Sequence, residues 1–192
     1  MNQLLILIRL CCRGLPRFSL IAPMLAAAPA PFVFPIPQEM ELTETKFPLD
    51  ESVRILLPLE PTAADLLLAR QLTAELSDRY GIALRSERVA AVADTDRAIV
   101  MGAVTNPLVR QLVAQRRLAV TPRQPGPEGY VLRIERGSVL VAGCDDAGAF
   151  YGLQSLRQLV RVQPQGAELP GIAMRDWPHK PFRGVKLYLP GR

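Results

Sequence analysis

Hydrophobic positions change their period along this chain, and each change marks an element. "SVRILLP", Ser52 to Pro58, is a short apolar run that reads as a buried strand. From Thr62 the period becomes helical. Leu68, Leu72, Leu76 and Tyr80 share one face, Thr62 and Asp65 open it as a capping box, and Gly81 supplies a left-handed residue to end it. "IALRS", Ile82 to Ser86, and "RAIVMG", Arg97 to Gly102, read as two more strands around a loop holding Asp94 and Asp96. Asn106 before Pro107 starts a second helix, because proline at the first helical position loses only an orphan donor. Its apolar face is Leu108, Val109, Leu112 and Val113.

From Gly129 the period drops to two. Tyr130, Leu132 and Ile134 alternate with Val131, Arg133 and Glu135, Arg136 and Gly137 turn the chain, and "SVLVAG", Ser138 to Gly143, returns as the second arm of a hairpin. Asp145 or Asp146 then caps a third helix that places Ala149, Phe150, Leu153, Leu156 and Val160 on one side. Leu169 to Ala173 reads as an added edge strand. The pattern predicts an α/β fold, a two-layer mixed sheet with helices on one face, since that is the simplest packing that buries every apolar stripe. Five prolines between 29 and 48 mark a linker that cannot enter a sheet interior, so folding is expected to begin near Val53. The expected organisation is a signal-like or disordered leader over 1–34, a Pro-rich linker over 35–51, an α/β domain over 52–174 and, over 175–192, a link with one further strand. That link ends in an alternating run, Val185, Leu187 and Leu189, which needs a neighbouring strand.

Charge narrows the function. Of the net +5, the leader holds +3 and residues 175–192 hold +4, so the body between them carries −2. A nucleic-acid binder needs a basic face on its folded domain, and no such partner is expected. Three cysteines, Cys11, Cys12 and Cys144, with one histidine, His179, cannot assemble a four-ligand zinc site, and no metal or cofactor is expected. Cys144 reads as a small buried hydrophobe. Three arginines followed by "FSLIAPMLAAAPAPFVF", with small residues at Ala26, Ala28 and Ala30, suit a cleaved secretory leader, which points to a secreted or periplasmic protein without an integral membrane span. Asp145 and Asp146 read as helix caps rather than paired catalytic acids, His179 as a surface residue, and Trp177 as an interface anchor between prolines.

One stretch carries more than secondary structure. "EGYVLRIERGSVLVAGCDDAGAFYGLQSLRQLV", residues 128–160, resembles the leading domain of glycoside hydrolase family 20, the β-N-acetylhexosaminidases. The resemblance implies a small zincin-like α/β domain without catalytic residues, followed by a TIM barrel. "IAMRDWPHKPFRGVKLYL" then looks like the link and first barrel strand, and the catalytic Asp-Glu pair of the family has no matching position here. The one functional position that it carries over is Arg183, whose counterpart in the "RG" pair binds the sugar's outer hydroxyls. A guanidinium fork suits a vicinal diol. A simple linker residue paired with Asp176 is the other reading. After the "RG" pair the chain departs from the family, which continues with an acidic, Asp-containing strand end. This chain has "VKLYLPGR" there, a pattern that also resembles family 84. The expected partner is the chain's own downstream barrel, and carbohydrate is met only through it. From a different class, a freestanding carbohydrate-associated or interaction module with no hydrolase activity is the alternative.

Overall fold

The structure is a computed structural model that describes residues 33–94, 96–164, 166–180, 182 and 184. The elements run in the order β1 (Glu39–Leu49), β2 (Arg54–Pro58), α1 (Ala63–Tyr80), β3 (Arg85–Val89), β4 (Ala98–Ala103), α2 (Pro107–Gln115), β5 (Tyr130–Ile134), β6 (Ser138–Gly143), α3 (Asp146–Gln158), β7 (Arg161–Gln163) and β8 (Gly166–Asp176). They form one mixed sheet in the order β1-β8-β5-β6-β4-β2-β3, with β7 paired to β8. Strands β2, β3, β4 and β6 run parallel, while β1, β8 and β5 join them antiparallel.

The helices start where local chemistry sets them. Thr62 accepts from the Asp65 N–H, the Asp65 carboxylate accepts from the Thr62 N–H at 2.9 Å, and Gly81 closes α1 at φ 68°. Asn106 caps α2 ahead of Pro107, and Asp145 caps α3 by accepting from the Gly148 N–H at 2.7 Å. Each such cap contributes about 1 kcal/mol.

The mixed sheet and the α/β class stand, but the expectation of helices on one face does not. Strand β4 is buried along its whole length, which requires cover on both sides. Ile99 and Met101 pack with Leu72 of α1 and Leu153 of α3, whereas Ala98 and Val100 pack with Leu108 and Leu112 of α2 on the opposite face. The domain therefore has three layers. The two crossovers leave neighbouring strands β2 and β4 toward opposite sides, and right-handed connections then place α1 and α2 on opposite faces.

The Pro-rich stretch also departs from its reading as a linker. Glu39–Leu49 is an eleven-residue strand paired to β8, and it buries Phe47 and Leu49. Its place at the sheet edge is what tolerates Pro48. Folding thus begins well before Val53. In turn β8 is not an edge strand. It extends over Gly166–Asp176 and is held between β1 and β5. The strand expected at Ile82 to Ser86 sits three residues later, because Gly81 and the residues after it complete the helix end first. Arg183 and the run of Val185, Leu187 and Leu189 lie outside the described residues.

Candidate functional site

Tyr130 opens β5 and lies opposite Gly143 of β6 on one side and Asp176 of β8 on the other. Its ring is buried beneath α3. That approach depends on glycine. A Cβ on Gly152 would stand 2.5 Å from Val141 Cγ1 and 3.0 Å from Tyr130 Cδ2, and one on Gly148 would stand 2.1 Å from the Gly129 carbonyl oxygen. The "GAFYGLQSL" pattern is therefore the signature of a helix seated directly on a hairpin, with bare backbone at the two points of contact.

The Tyr130 hydroxyl and Ser155 Oγ are 2.6 Å apart, and the same hydroxyl lies 3.4 Å from Asp176 Oδ2. Burial pushes the Tyr130 phenol far above its ordinary range, and the Asp176 carboxylate adds to the shift while the Ser155 hydrogen bond opposes it. The group stays neutral. Asp176 Oδ1 accepts from the Gln38 N–H at 3.2 Å, and the Gln38 side-chain amide donates to the Trp177 carbonyl at 3.3 Å. Gln158 clasps the segment ahead of β1, accepting from the Phe34 N–H at 2.9 Å and donating to the Phe34 carbonyl at 3.0 Å.

These contacts surround a cavity of about 410 Å³ between α3, the end of β8 and the strap over 34–38. Tyr151, Gln154, Trp177 and His179 complete its rim. Phe34, Ile36 and Tyr151 keep exposed apolar surface beside it. Chemically it offers amide and hydroxyl donors and acceptors around the engaged Asp176 carboxylate, with Glu128 and Lys180 also in its lining. It does not present two free carboxylates to a bond.

Most of the residues singled out from sequence serve the fold. Asp145 is spent on structure, since one oxygen caps α3 and the other accepts from the Glu128 N–H at 2.9 Å. Trp177 is half-buried, with the Arg175 guanidinium 5.5 Å from its ring centre, and His179 is exposed on the cavity rim. Cys144 is buried and donates to the Gln124 carbonyl at 3.1 Å, and burial raises its thiol. Among the described residues, no three His, Cys, Asp or Glu side chains gather to hold a metal, and no helix is long and apolar enough to cross a membrane. Sequence reasoning missed Ser155, Gln38 and Gln158. The available signal was Ser155 itself, a polar side chain between Leu153 and Leu156 on the buried side of α3.

A second place needs its own reading. In doubly wound sheets, ligands bind at the carboxyl ends of neighbouring strands whose crossovers diverge, which here means β2 and β4. That crevice is closed. Asn106 Nδ2 donates to Asp65 Oδ1 at 2.9 Å, Thr62 occupies Asp65 Oδ2, and both Asp65 and Asn106 are buried. The two caps, on helices of opposite layers, satisfy one another and leave no polar group for a ligand.

The sequence model described as glycosyl hydrolase family 20, domain 2, matches residues 30–177, which takes in every strand and helix described above. The chain belongs to glycosyl hydrolase family 20. The chain is similar to part of a β-hexosaminidase from Porphyromonas gingivalis, 34% identical over an alignment of 67 residues, with 31% of this chain and 9% of that one covered. Among solved structures, a family 20 β-N-acetylglucosaminidase is 29% identical with a TM-score of 0.53, covering 82% of this chain and 24% of the other. The family 20 β-N-acetylhexosaminidase of Streptomyces coelicolor A3(2) shares the fold, with 20% identity, a TM-score of 0.57, and coverage of 79% and 27%. The chain thus spans about a quarter of the length of these solved relatives. Within domain 2, the match includes β1, in keeping with its place in the sheet rather than in a linker.

Proposed function

We propose that this family 20 domain is the non-catalytic leading part of a hydrolase that acts on β-linked N-acetylhexosamine glycosides, and that it turns over no substrate by itself. The observation that carries the reading is the state of an acid in its cavity. Asp176, one of the two carboxylates in the lining with Glu128, accepts from the Gln38 backbone with one oxygen and faces the Tyr130 hydroxyl with the other, so both its oxygens are engaged in holding the fold. Retaining hydrolysis through an acetamido group needs an orienting carboxylate and a general acid aimed at one anomeric centre. On this reading those groups come from a downstream barrel, and the apolar rim of Phe34, Ile36 and Tyr151 is the surface that further polypeptide covers. The leader is then a secretion signal, and the protein acts outside the cytoplasm.

Purified 192-residue chain is expected to leave a chromogenic N-acetylglucosaminide at the buffer rate, and a fusion to a family 20 barrel to hydrolyse it. Turnover by the short chain that survives repurification overturns the proposal.

A second reading is favoured by the same cavity, because Tyr151 and Trp177 stand there with the amides of Gln38, Gln154 and Gln158. Aromatic faces with amide donors suit a sugar ring. Saturable binding of N-acetylglucosamine oligomers to the short chain, lost in Tyr151→Ala, would favour a freestanding carbohydrate-associated module.

A further inference from the structure

The sheet has a second open face, on the side of α2. That helix packs on β2, β4 and β6, and Val131 of β5 joins the core beneath it, whereas Arg133, Ala173 and Arg175 farther across the same face stay partly exposed. Register determines what shows there. Arg133 pairs with Leu140 and Ala173, Val131 pairs with Ala142 and Arg175, and Ala173 and Arg175 pair onward with Glu41 and Glu39. Leu140 and Ala142 belong to the α2-side core, so all of these partners face the same way. With Arg116, Arg117 and Leu118 at the end of α2, they line a groove of about 460 Å³. Small Ala173 lies in its floor between longer neighbours. Four arginines against Glu39 and Glu41 give the lining a net charge of +2.

A solvated arginine face is the ordinary explanation for such a cluster, and it predicts donors that reach water. Two of these do not. Arg116 Nη1 and Arg175 Nε are shielded from solvent and lack a hydrogen-bond partner. Arg116 Nη1 keeps an ion pair with Glu135 at 3.5 Å but makes no hydrogen bond, while its other terminal nitrogen donates to Ser138. Arg175 gives one nitrogen to Glu39, at 3.0 and 3.2 Å. Covered donors without acceptors are uncommon in folded proteins and call for a missing partner. The partner must supply acceptors and negative charge, because the groove already holds the donors.

We propose that this groove binds an oxyanion, a carboxylate or sulfate carried by a small ligand, with Arg133 and Arg116 as the principal donors and Arg117 at the rim. Guanidinium forks match both anions in paired hydrogen bonds. The site lies on the opposite side of the sheet from α3, so it does not depend on the functional reading of the Tyr130 cavity.

Isothermal titration of the 192-residue chain with potassium sulfate, and separately with sodium glucuronate, is compared with potassium chloride at matched ionic strength. Saturable binding of one equivalent is expected for at least one of the two, with sulfate alone identifying a sulfate source and glucuronate alone a carboxylate source. Arg133→Ala is expected to weaken it by at least about tenfold. Arg117→Gly is the companion variant, since Arg117 holds φ 51° and glycine relaxes that backbone, so its loss of affinity cannot be put down to unfolding. It should weaken binding severalfold, whereas Arg70→Ala on α1 should leave it unchanged. Heats no larger than those of chloride for both anions, or affinity unaltered in Arg133→Ala and Arg117→Gly, overturn the proposal.

Discussion

Replacing Gly152 by alanine tests how closely α3 sits on the hairpin, and two opposing effects decide the sign. Alanine in a helix interior gains about 1 kcal/mol over glycine. Against that, the new Cβ would lie 2.5 Å from Val141 Cγ1 and 3.0 Å from Tyr130 Cδ2, where carbon atoms prefer about 3.5–4.0 Å. Val141 and Tyr130 are buried and Val141 is stiff at χ1, so the overlap cannot be relieved by a swing into solvent. Overpacking of this kind costs about 1–3 kcal/mol, and the size of the overlap puts it at the upper end. The net expectation is a loss of about 2 kcal/mol, or about 4–8 °C in Tm for a domain of this size. Val141→Ala alone should also destabilise, by about 2 kcal/mol for two buried methyl groups and the space they leave. Together the two changes remove the overlap with Val141 but leave the 3.0 Å approach to Tyr130, which offsets the helical gain, so the double variant should be about as stable as Val141→Ala, a coupling of about 2 kcal/mol. Urea unfolding of the full chain, followed by circular dichroism, measures all four corners of the cycle. A neutral or stabilising Gly152→Ala, or additive single changes, would refute the close contact and with it the account of the "GAFYGLQSL" pattern.

The phenol of Tyr130 has its folded pKa raised above the ordinary value near 10, so its contribution is intact below that pH and lost as pH rises beyond it. Melts from pH 8 to 11 should show stability falling at the alkaline end. Tyr130→Phe should cost about 1–2 kcal/mol at neutral pH by orphaning Ser155, and should flatten the alkaline fall down to the smaller share of Cys144, which has the same sign. Glu75, which pairs with Arg79 one turn on in α1 and joins α1 to α3 through Arg157, has its carboxyl lowered first by the Arg79 hydrogen bond. Its stabilisation is present above the ordinary glutamate range and lost as pH falls through the lowered value. Glu75→Gln should cost about 1 kcal/mol at pH 7 and less at pH 3, read by the same melts. Mass spectrometry of the secreted protein should find a mature N-terminus between about Ala28 and Phe32, and recovery of intact Met1 from the cytoplasm would count against export. In a barrel fusion, Arg183→Ala should weaken transition-state binding by about 2–4 kcal/mol, read in kcat/KM, and unchanged kinetics would remove Arg183 from the sugar site.

Three helices, their caps and the hairpin were legible in the sequence because each is decided within a few residues. Thr62 meets Asp65 three positions away, Asn106 meets Leu108 two away, and the arms of β5 and β6 are joined by a short turn. The α/β class came from those elements, and the family resemblance from the order of hairpin and glycine-bearing helix. The closeness of α3 to the sheet was written there as well, in Gly148 and Gly152, once their neighbours are known. The cavity was legible only in its pieces.

Pairing between distant segments was not local information. The alternation within Glu39–Leu49 is weak because an edge strand leaves most side chains in water, and its prolines outweighed the two buried anchors, Phe47 and Leu49. Only β8, more than a hundred residues later, makes that segment a strand. Likewise, the all-apolar run of β4 implied cover on both faces without saying which helix supplied it, a choice set by the opposite directions of two crossovers. The contact of Gln38 with Asp176 spans 138 positions, and the groove of Arg116, Arg133 and Arg175 exists because three strands fall into one register. The sequence by itself determined the elements and their ends, since caps and periodicity act over a turn or two of chain. Layer, edge and site were decided by the tertiary structure, because burial and charge become fixed only when strands far apart in the chain share one sheet.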